Sequence, residues 1–185
     1  MQDYRININY AKALYMLAVE LGEQDRVAQD MRLVNAVCSE NRVFSTVFRN
    51  PEIKVPKKVA IIHDIFGAHV CKTTMAFLEF VVRKSRSVNL GGISASFLDL
   101  YRGSHNIVLS KLTTATPIDA SIVEMVNKVV AQHTGKEVEL VEKVDPKIIG
   151  GFAIEYDNNI YDARLSTKLV KLRQQFGKNV YESKL

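Results

Sequence analysis

The sequence predicts a mainly α-helical protein with a smaller α/β part, in which an N-terminal six-helix bundle precedes a small C-terminal α/β module. Apolar residues recur at the helical period through most of positions 10–105. Near Ser110 the pattern changes to alternating β-branched residues, which is typical of strands. Further on, the polar tip Asp157-Asn158-Asn159 separates two short apolar runs and indicates a hairpin. We therefore predict two domains, residues 1–107 and 108–185.

The first predicted helix carries more apolar surface than one core contact needs. Its first apolar stripe consists of Tyr10, Leu14, Leu17, Ala18 and Leu21. A second stripe beside it consists of Ala11, Tyr15 and Ala18. Together the stripes indicate either a partner surface or a helix that a compact bundle buries on two sides. The residues alone leave both interpretations open.

The remaining helices of the bundle follow the same period. Predicted helices cover residues 25–40, 42–49, 56–66, 73–84 and 93–108. Asn50-Pro51 interrupts the chain, Pro56 suits the first turn of a helix and Gly67 suits its end. The fifth helix is apolar nearly all round, which indicates a central position or a cover supplied by a second chain. The segment Asn89-Leu90-Gly91-Gly92 is interpreted as a break before the last helix of the bundle.

The C-terminal module is predicted to alternate strands and helices. The segment "SKLTTATP" is a strand that Pro117 ends, and Asp119 caps a helix that stops at Gly135. The segment "KEVELVEKV" is a second strand candidate. The segments "GGFAIEY" and "NIYDARL" form the hairpin. Residues 166–176 return to helix, with Leu169, Leu172 and Phe176 on one face.

Composition favours a soluble globular protein and gives little support to nucleic-acid binding. The chain has 185 residues, of which 47% are apolar and 24% are charged. Its net charge of +5 is spread along the chain, whereas nucleic-acid binders concentrate basic residues in a patch. No apolar stretch approaches the ~20 residues that span a bilayer, and no export signal is visible. A cytoplasmic location with reduced thiols at Cys38 and Cys71 is therefore expected.

The residues give no catalytic constellation, no metal site and no cofactor site. His63 and His69 do not have the one-turn spacing of a helical zinc motif. Gly150-Gly151 opens a strand and lacks the following Lys-Ser/Thr of a phosphate-binding loop. Asp162 is expected to start or cap the last helix while Arg164 points to water. No third catalytic group is visible beside this pair, so an enzymatic role is disfavoured.

Two segments resemble the delta subunit of bacterial F-type ATP synthase, a family related to the mitochondrial oligomycin-sensitivity-conferring protein. They are "YAKALYMLA" near the start and "KVDPKIIGGFAIEYDNNIYDARLSTKLVKLRQQF" near the end. The resemblance covers nearly the whole chain in element order. It departs after the hairpin, where the family commonly shows Asp-Gly-Ser-(Val/Ile)-Arg and this chain has Asp162-Ala163-Arg164-Leu165-Ser166.

The resemblance implies a stalk component without catalytic residues or cofactors, peripheral on the cytoplasmic face of a bacterial membrane through the Fo sector. The first and fifth helices would hold the N-terminus of an alpha subunit. The groove residues implied are Tyr10, Ala11, Leu14, Tyr15, Ala18, Phe77, Leu78 and Val81. The C-terminal module would contact the C-terminus of the b subunit. The residues implied there, for structure or docking, are Gly150, Gly151, Asp162, Leu169 and Leu172. The alternative from another class is a basic helical nucleic-acid-binding regulatory protein.

Overall fold

The computed structural model describes residues 2–116, 120–157 and 159–177. The described residues are mainly helical with a small four-stranded mixed sheet, which confirms a mainly α protein with a smaller α/β part. The chain divides into two compact units, Met1–His105 and Asn106–Leu185. This division falls just before the predicted boundary at 107/108, and the assignment of a separate role to each domain stays a prediction.

The first unit is helical throughout. It contains α1 (Gln2–Leu21), α2 (Gln24–Glu40), α3 (Arg42–Arg49), α4 (Val55–Phe66), α5 (Lys72–Arg83), a 3-10 turn (Ser87–Asn89) and α6 (Leu90–Ser104). α1 begins well before Tyr10, where the apolar period starts. The sequence does not show this early start, because polar residues occupy alternate positions of the first turns and hide the helical period. One of them, Asp3, lies in the first turn and favours a helix N-terminus there.

Two predictions about α6 are wrong. Gly91 and Gly92 are not a break, since they lie in the first turn of α6. A Cβ at Gly91 would lie 3.2 Å from Cβ of Cys38, so the glycine lets α6 approach α2 closely. The helix also ends at Ser104 and does not reach Val108. Asn106, with a φ of 53°, turns the chain instead, and β1 begins at the next residue.

The core of the first unit forms where α6 packs against α1 and α2. Its fully buried apolar side chains include Ala11, Leu14, Ala18, Val27, Met31, Val34, Ile93 and Phe97. These residues recur three or four positions apart in each helix, so each helix presents one continuous apolar stripe to the others. α4 packs against α5 as a second layer.

Two carboxylates, one in α2 and one at its N-cap position, accept hydrogen bonds that fix the start of α5. Asp30 is buried, and its Oδ2 accepts from the backbone N of Cys71 at 2.8 Å. Glu23 Oε2 accepts from Thr73 Oγ1 at 2.8 Å. Cys71 is the N-cap residue of α5, and its Sγ accepts a hydrogen bond from the backbone N of Thr74 at 3.4 Å. The N-terminus of α5 is therefore held to the bundle at two points beyond its apolar packing.

The second unit is a four-stranded sheet with two helices among its described residues. Its elements are β1 (Ile107–Thr114), α7 (Ala120–Thr134), β2 (Glu137–Val144), β3 (Phe152–Tyr156), β4 (Asn159–Asp162) and α8 (Leu165–Gly177). The strand order is β2-β1-β3-β4, with β1 and β2 parallel and the other pairs antiparallel. The predicted hairpin is confirmed as β3 and β4. Pro117, Asp119, which is predicted to cap α7, and Asn158 lie outside the described residues.

One face of this sheet packs on α7. Its buried cluster consists of Val108, Leu112, Val126, Val130 and Ile154. Val108 and Leu112 alternate with exposed residues along β1, as expected for a strand with one covered face. α7 ends at Thr134, and Gly135 follows it with a φ of 66°. Residues other than glycine rarely adopt this backbone angle, so Gly135 is suited to terminate the helix.

Candidate functional site

An apolar groove with a volume of about 650 Å³ runs between α1 and α5. Its lining consists of Asn9, Tyr10, Ala13, Leu14, Leu17, Leu21, Thr73, Ala76, Phe77 and Phe80. Several of these apolar side chains are open to solvent, with Leu17 42%, Leu21 53% and Phe80 48% exposed. A continuous exposed apolar surface of this kind is characteristic of a partner-binding site.

Three of the eight predicted groove residues line this groove. Tyr10 forms part of its wall and packs against Phe80, with 6.2 Å between the ring centroids and 41° between the ring planes. Leu14 and Phe77 form the floor, where they are 1% and 9% exposed. The floor residues therefore belong both to the groove and to the core of the bundle.

The other five predicted residues lie elsewhere. Ala11, Ala18, Leu78 and Val81 are buried in the core and do not line the groove. The second stripe of α1 therefore packs inside the unit, as one of the two interpretations of the sequence held. Tyr15 also lies outside the groove lining. Its Oη donates to Ser104 Oγ of α6 at 2.7 Å.

Sequence reasoning left several groove residues out of the predicted set. They are Asn9, Ala13, Leu17, Leu21, Thr73, Ala76 and Phe80. The signal for Leu17 and Leu21 was present, because both belong to the first stripe that starts at Tyr10. Ala13 and Ala76 carry no such signal, since their role is to be small enough to leave the space open.

A second set of predicted residues meets at the junction between β4 and α8. Asp162 Oδ1 accepts from the backbone N of Arg164 at 3.0 Å and from its Nε at 2.9 Å. Asp162 Oδ2 accepts from Arg164 Nη2 at 2.6 Å and from Thr167 Oγ1 at 2.9 Å. Arg164 is therefore not a free surface cation as the sequence led us to expect, because its side chain, 40% exposed, is bound to Asp162. The carboxylate closes the turn that leads into α8.

Charge and hydrogen bonding act together at this junction. The hydrogen bond from the Arg164 side chain, followed by that from its backbone, holds the pKa of Asp162 well below its usual range. The same pair raises the pKa of Arg164. With its oxygens engaged by these donors, the carboxylate is a structural acceptor rather than a proton-transfer group.

The glycine pair before β3 lies directly against the backbone of this turn. Gly151 has a φ of 83°, and a Cβ there would lie 2.5 Å from the carbonyl O of Ala163. The backbone N of Leu165 donates to the carbonyl O of Gly150 at 2.9 Å. Gly150-Gly151 therefore lets the β4–α8 turn cross close to the backbone, and it does not cradle a phosphate.

The apolar face of α8 is largely exposed. Leu169 and Leu172, both predicted for stalk docking, are 58% and 51% exposed. Leu165 and Phe176 lie on the same face at helical spacing and are exposed as well. A second apolar groove of about 380 Å³ lies between α7 and the β3–β4 hairpin. The second unit thus carries its own unfilled apolar surface.

The described residues contain no group of three His, Cys, Asp or Glu side chains placed to hold a metal ion. His63 instead pairs with Glu79 at 2.7 Å and links α4 to α5. Burial raises the pKa of the Cys38 thiol to about 11, so this thiol is a poor nucleophile. Within the same described ranges, no helix combines the length and apolar character needed to cross a membrane.

Comparisons with known proteins agree over nearly the whole chain. Residues 6–176 match the protein family described as ATP synthase delta (OSCP) subunit. ATP synthase subunit delta of Cytophaga hutchinsonii is 34% identical over 97% of this chain and 98% of its own. The subunit delta of Syntrophomonas wolfei is 30% identical over 90% of this chain and 91% of its own.

The fold also matches a solved structure. A chain in the cryo-EM structure of the Toxoplasma gondii mitochondrial ATP synthase hexamer superposes with a TM-score of 0.71. The match covers 92% of this chain and 96% of the other, at 17% sequence identity. At that identity the likeness supports the fold alone.

We expect Gly151→Ala to destabilise the second unit by at least about 1–2 kcal/mol, because the left-handed backbone disfavours a Cβ that would also meet Ala163. Gly103→Ala is the matched control, since nothing lies within 4 Å of a Cβ at that helical position. Urea unfolding followed by circular dichroism, with hydrogen exchange over residues 150–165, measures both variants. Equal stability of the two variants would contradict the role assigned to Gly151.

We expect Asp162→Asn to destabilise the second unit near neutral pH, and this difference from wild type to shrink in acid. A lowered folded pKa gives stability that is complete above the ordinary Asp pKa of about 3.9 and is lost as the pH falls below it. Chemical unfolding between pH 7 and 3 tests this. Asp157→Asn, which removes only a pair with Lys136 at 3.8 Å, is the control. A wild-type advantage that persists unchanged at pH 3 would contradict the assignment.

Proposed function

The chain belongs to the ATP synthase delta (OSCP) subunit family and is a non-catalytic peripheral-stalk subunit of F-type ATP synthase; on this premise we propose how it joins its two neighbours. The N-terminal domain, a six-helix bundle spanning residues 1–107, binds the N-terminal segment of an alpha subunit in the groove between α1 and α5. The C-terminal domain, residues 108–185, binds the C-terminal end of the b subunit. The chain thereby connects the catalytic head to the stalk.

The exposed apolar lining of the groove is the observation that supports the proposed contact with the alpha subunit. An amphipathic helix buries its apolar face in such a groove through anchors at helical spacing. From Tyr10 to Leu21 the α1 wall is about 16 Å long, which corresponds to about three turns of a docked helix. Leu17, Leu21 and Phe80 would lose their solvent exposure when that helix binds.

A stator subunit must stay attached while the rotor applies torque. Related complexes differ in affinity mainly through their dissociation rates, and anchors buried in fully desolvated pockets give the slowest rates. The fixed start of α5 serves this purpose. Because Asp30 and Glu23 hold that helix to α2, the groove wall does not have to be ordered when the partner binds.

The exposed face of α8 supports the second contact. Its apolar side chains recur at Leu165, Leu169, Leu172 and Phe176, a spacing that suits packing against another helix. The turn held by Asp162 and Arg164 sets where α8 begins. In this proposal the changed order of Arg164 and Ser166 relative to the family pattern leaves the turn intact, since Arg164 itself binds the carboxylate.

The location follows from the assembly. We place the chain at the cytoplasmic face of a bacterial membrane, attached peripherally through the stalk and the Fo sector. The comparisons give no support to the alternative of a nucleic-acid-binding regulator. The modest net charge of +5 also disfavours the electrostatic binding on which such a regulator depends.

We expect Leu17→Asp to weaken binding of a synthetic alpha N-terminal peptide by about 30-fold or more, as for an anchor residue of an interface. The variant should stay folded, because Leu17 is 42% exposed in the free chain. Isothermal titration with circular dichroism of the same samples measures both properties. Met16→Asp, 72% exposed and outside the groove lining, is the control and should bind like wild type.

Leu14→Asp gives a different result from Leu17→Asp. Leu14 is 1% exposed, so a buried charge there should unfold the bundle and not merely weaken binding. Unchanged peptide affinity of a folded Leu17→Asp variant would rule out the proposed groove contact.

We expect Leu169→Asp combined with Leu172→Asp to abolish binding of a C-terminal b-subunit fragment without unfolding the chain. Both side chains are more than half exposed, so the charges cost little in the free protein. Gln174→Asp adds a charge on the opposite face of the same helix and should leave binding intact. Co-sedimentation or titration with the fragment tests this, and normal binding by the double variant would contradict the assignment.

A further inference from the structure

The first unit has one strongly basic end. Positions 42–58 and 83–89 together carry eight lysine and arginine residues and a single carboxylate, Glu52. In the sequence these two segments are separated by most of α4 and α5, so their charge looks spread along the chain. The eight cations are Arg42, Arg49, Lys54, Lys57, Lys58, Arg83, Lys84 and Arg86.

A buried polar contact brings the two segments together. The carbonyl O of Phe48, in the last turn of α3, accepts hydrogen bonds from Nζ of Lys58 at 2.8 Å and from Oγ of Ser87 at 3.2 Å. Lys58 and Ser87 are both buried. The end of α3, the first turn of α4 and the turn between α5 and α6 therefore meet at this carbonyl. The exposed cations beside it form a surface that we call the basic pole, which consists of Arg49, Lys54, Lys57, Lys84 and Arg86.

The opposite end of the first unit is acidic. α6 begins beside the basic pole and ends at Ser104, about 22 Å away for a helix of 15 residues. Asp25 lies at that far end, where its Oδ1 accepts from Tyr101 Oη at 2.8 Å. Around this end five carboxylates face three cations, namely Glu20, Glu23, Asp25, Asp30 and Asp99 against Arg26, Lys72 and Arg102. The first unit is therefore an electric dipole whose positive end is the basic pole.

Helix stability does not explain three of the cations in the pole. The N-terminus of a helix carries partial positive charge, which disfavours lysine and arginine there. Lys54 is the N-cap residue of α4, and Lys57 lies in its first turn, which contains no acidic residue. Arg86 is the N-cap residue of the 3-10 turn that leads into α6. Within the described residues, none of the three pairs with a carboxylate. These charges work against the free fold, and a partner of opposite charge would offset that cost.

We propose that the basic pole binds an acidic protein surface on the catalytic head and steers the head onto the first unit. This inference rests on the proposed function, in which the first unit attaches to the head. It adds a surface outside the groove, because none of the five cations of the pole belongs to the groove lining. Lys84 adjoins the groove, with its ammonium 5.7 Å from the centre of the Phe80 ring.

The composition of the pole favours a protein partner over a membrane. Surfaces that bind anionic lipid combine cations with Trp, Phe or Leu side chains that enter the bilayer. Among the described residues of positions 42–58 and 83–89, only Val43 and Val88 are large apolar side chains exposed to solvent. Cations with so little exposed apolar surface suit the charged rim of a protein interface.

A basic pole of this kind acts mainly on the rate of association. Exposed charges attract an oppositely charged surface over a Debye length of about 10 Å at 0.1 M salt, and they raise association rates about ten- to a thousandfold at low ionic strength. Because the charge is gathered at one end, the attraction also turns that end toward the head. Dissociation depends on the apolar contacts instead, so the pole and the groove have separable effects.

Stopped-flow association of the full chain with a catalytic head purified without this subunit tests the pole. The variant is Lys54→Glu with Lys57→Glu and Arg86→Glu, at positions outside the groove lining. We expect its association rate constant to fall at least about tenfold at low salt and to depend less on salt, while the dissociation rate constant changes less than about twofold. Glutamates at the start of α4 suit the helix dipole, so the variant should unfold at the same temperature as wild type or higher.

The control, Lys12→Glu with Lys128→Glu and Lys143→Glu, makes the same change in net charge at exposed positions away from the pole and should associate within about threefold of wild type. Zero-length carbodiimide cross-linking identifies the partner, since it joins lysine Nζ to a carboxylate. Lys54 or Lys57 should be linked to Asp or Glu of the head. A synthetic alpha N-terminal peptide should bind wild type and the pole variant equally, and weaker binding by the variant would contradict a surface separate from the groove.

An association rate that the pole variant leaves unchanged, with the head still bound, overturns the role of the pole alone. The pole variant is also tested on phosphatidylcholine vesicles that contain phosphatidylglycerol and on duplex DNA. Loss of binding to either of these, together with normal association with the head, would assign the pole to lipid or nucleic acid and overturn the proposal. A wild-type chain that does not bind the head overturns the proposed function together with this inference.

Discussion

The division of apolar residues on α1 is the constraint on which the rest of the first unit depends. Ala11, Leu14 and Ala18 are buried in the core where α1 packs with α6. Leu17 and Leu21 lie on the neighbouring face and stay partly exposed. A helix that is apolar on two sides gives up stability in the free chain unless a partner covers the second side. This exposed side forms the groove, which we propose that a partner covers in the assembled stalk.

In each unit, polar contacts at the start of a helix fix the position of an exposed apolar helix face, but the contacts differ between the two units. In the first unit, hydrogen bonds accepted by Asp30 and Glu23 hold the start of α5, so the groove is already formed in the free chain. In the second, the Asp162–Arg164 pair and the close approach at Gly151 determine where α8 begins. In both cases buried or paired polar groups place an apolar helix face that remains open. Such preorganisation lowers the ordering cost of binding.

Sequence patterns predicted the elements better than the faces they present. Helical periodicity located most helices of the first unit, and the polar tip after Tyr156 located the hairpin. Periodicity does not say which of two adjacent stripes is buried, so Ala11 and Ala18 were assigned to the groove although they lie in the core. The contact of Arg164 with Asp162 was missed for a similar reason, because spacing alone does not fix a side-chain direction.

The central claim is that the apolar groove lining exposed in the free chain is covered by a partner in the assembled synthase. Radical footprinting with mass spectrometry compares the two states at single side chains. We predict that Leu17, Leu21 and Phe80 lose most of their labelling in the assembly, while Met16 and Val43, 72% exposed in the free chain, keep theirs. Equal labelling of the groove residues in the free and assembled states would contradict the claim.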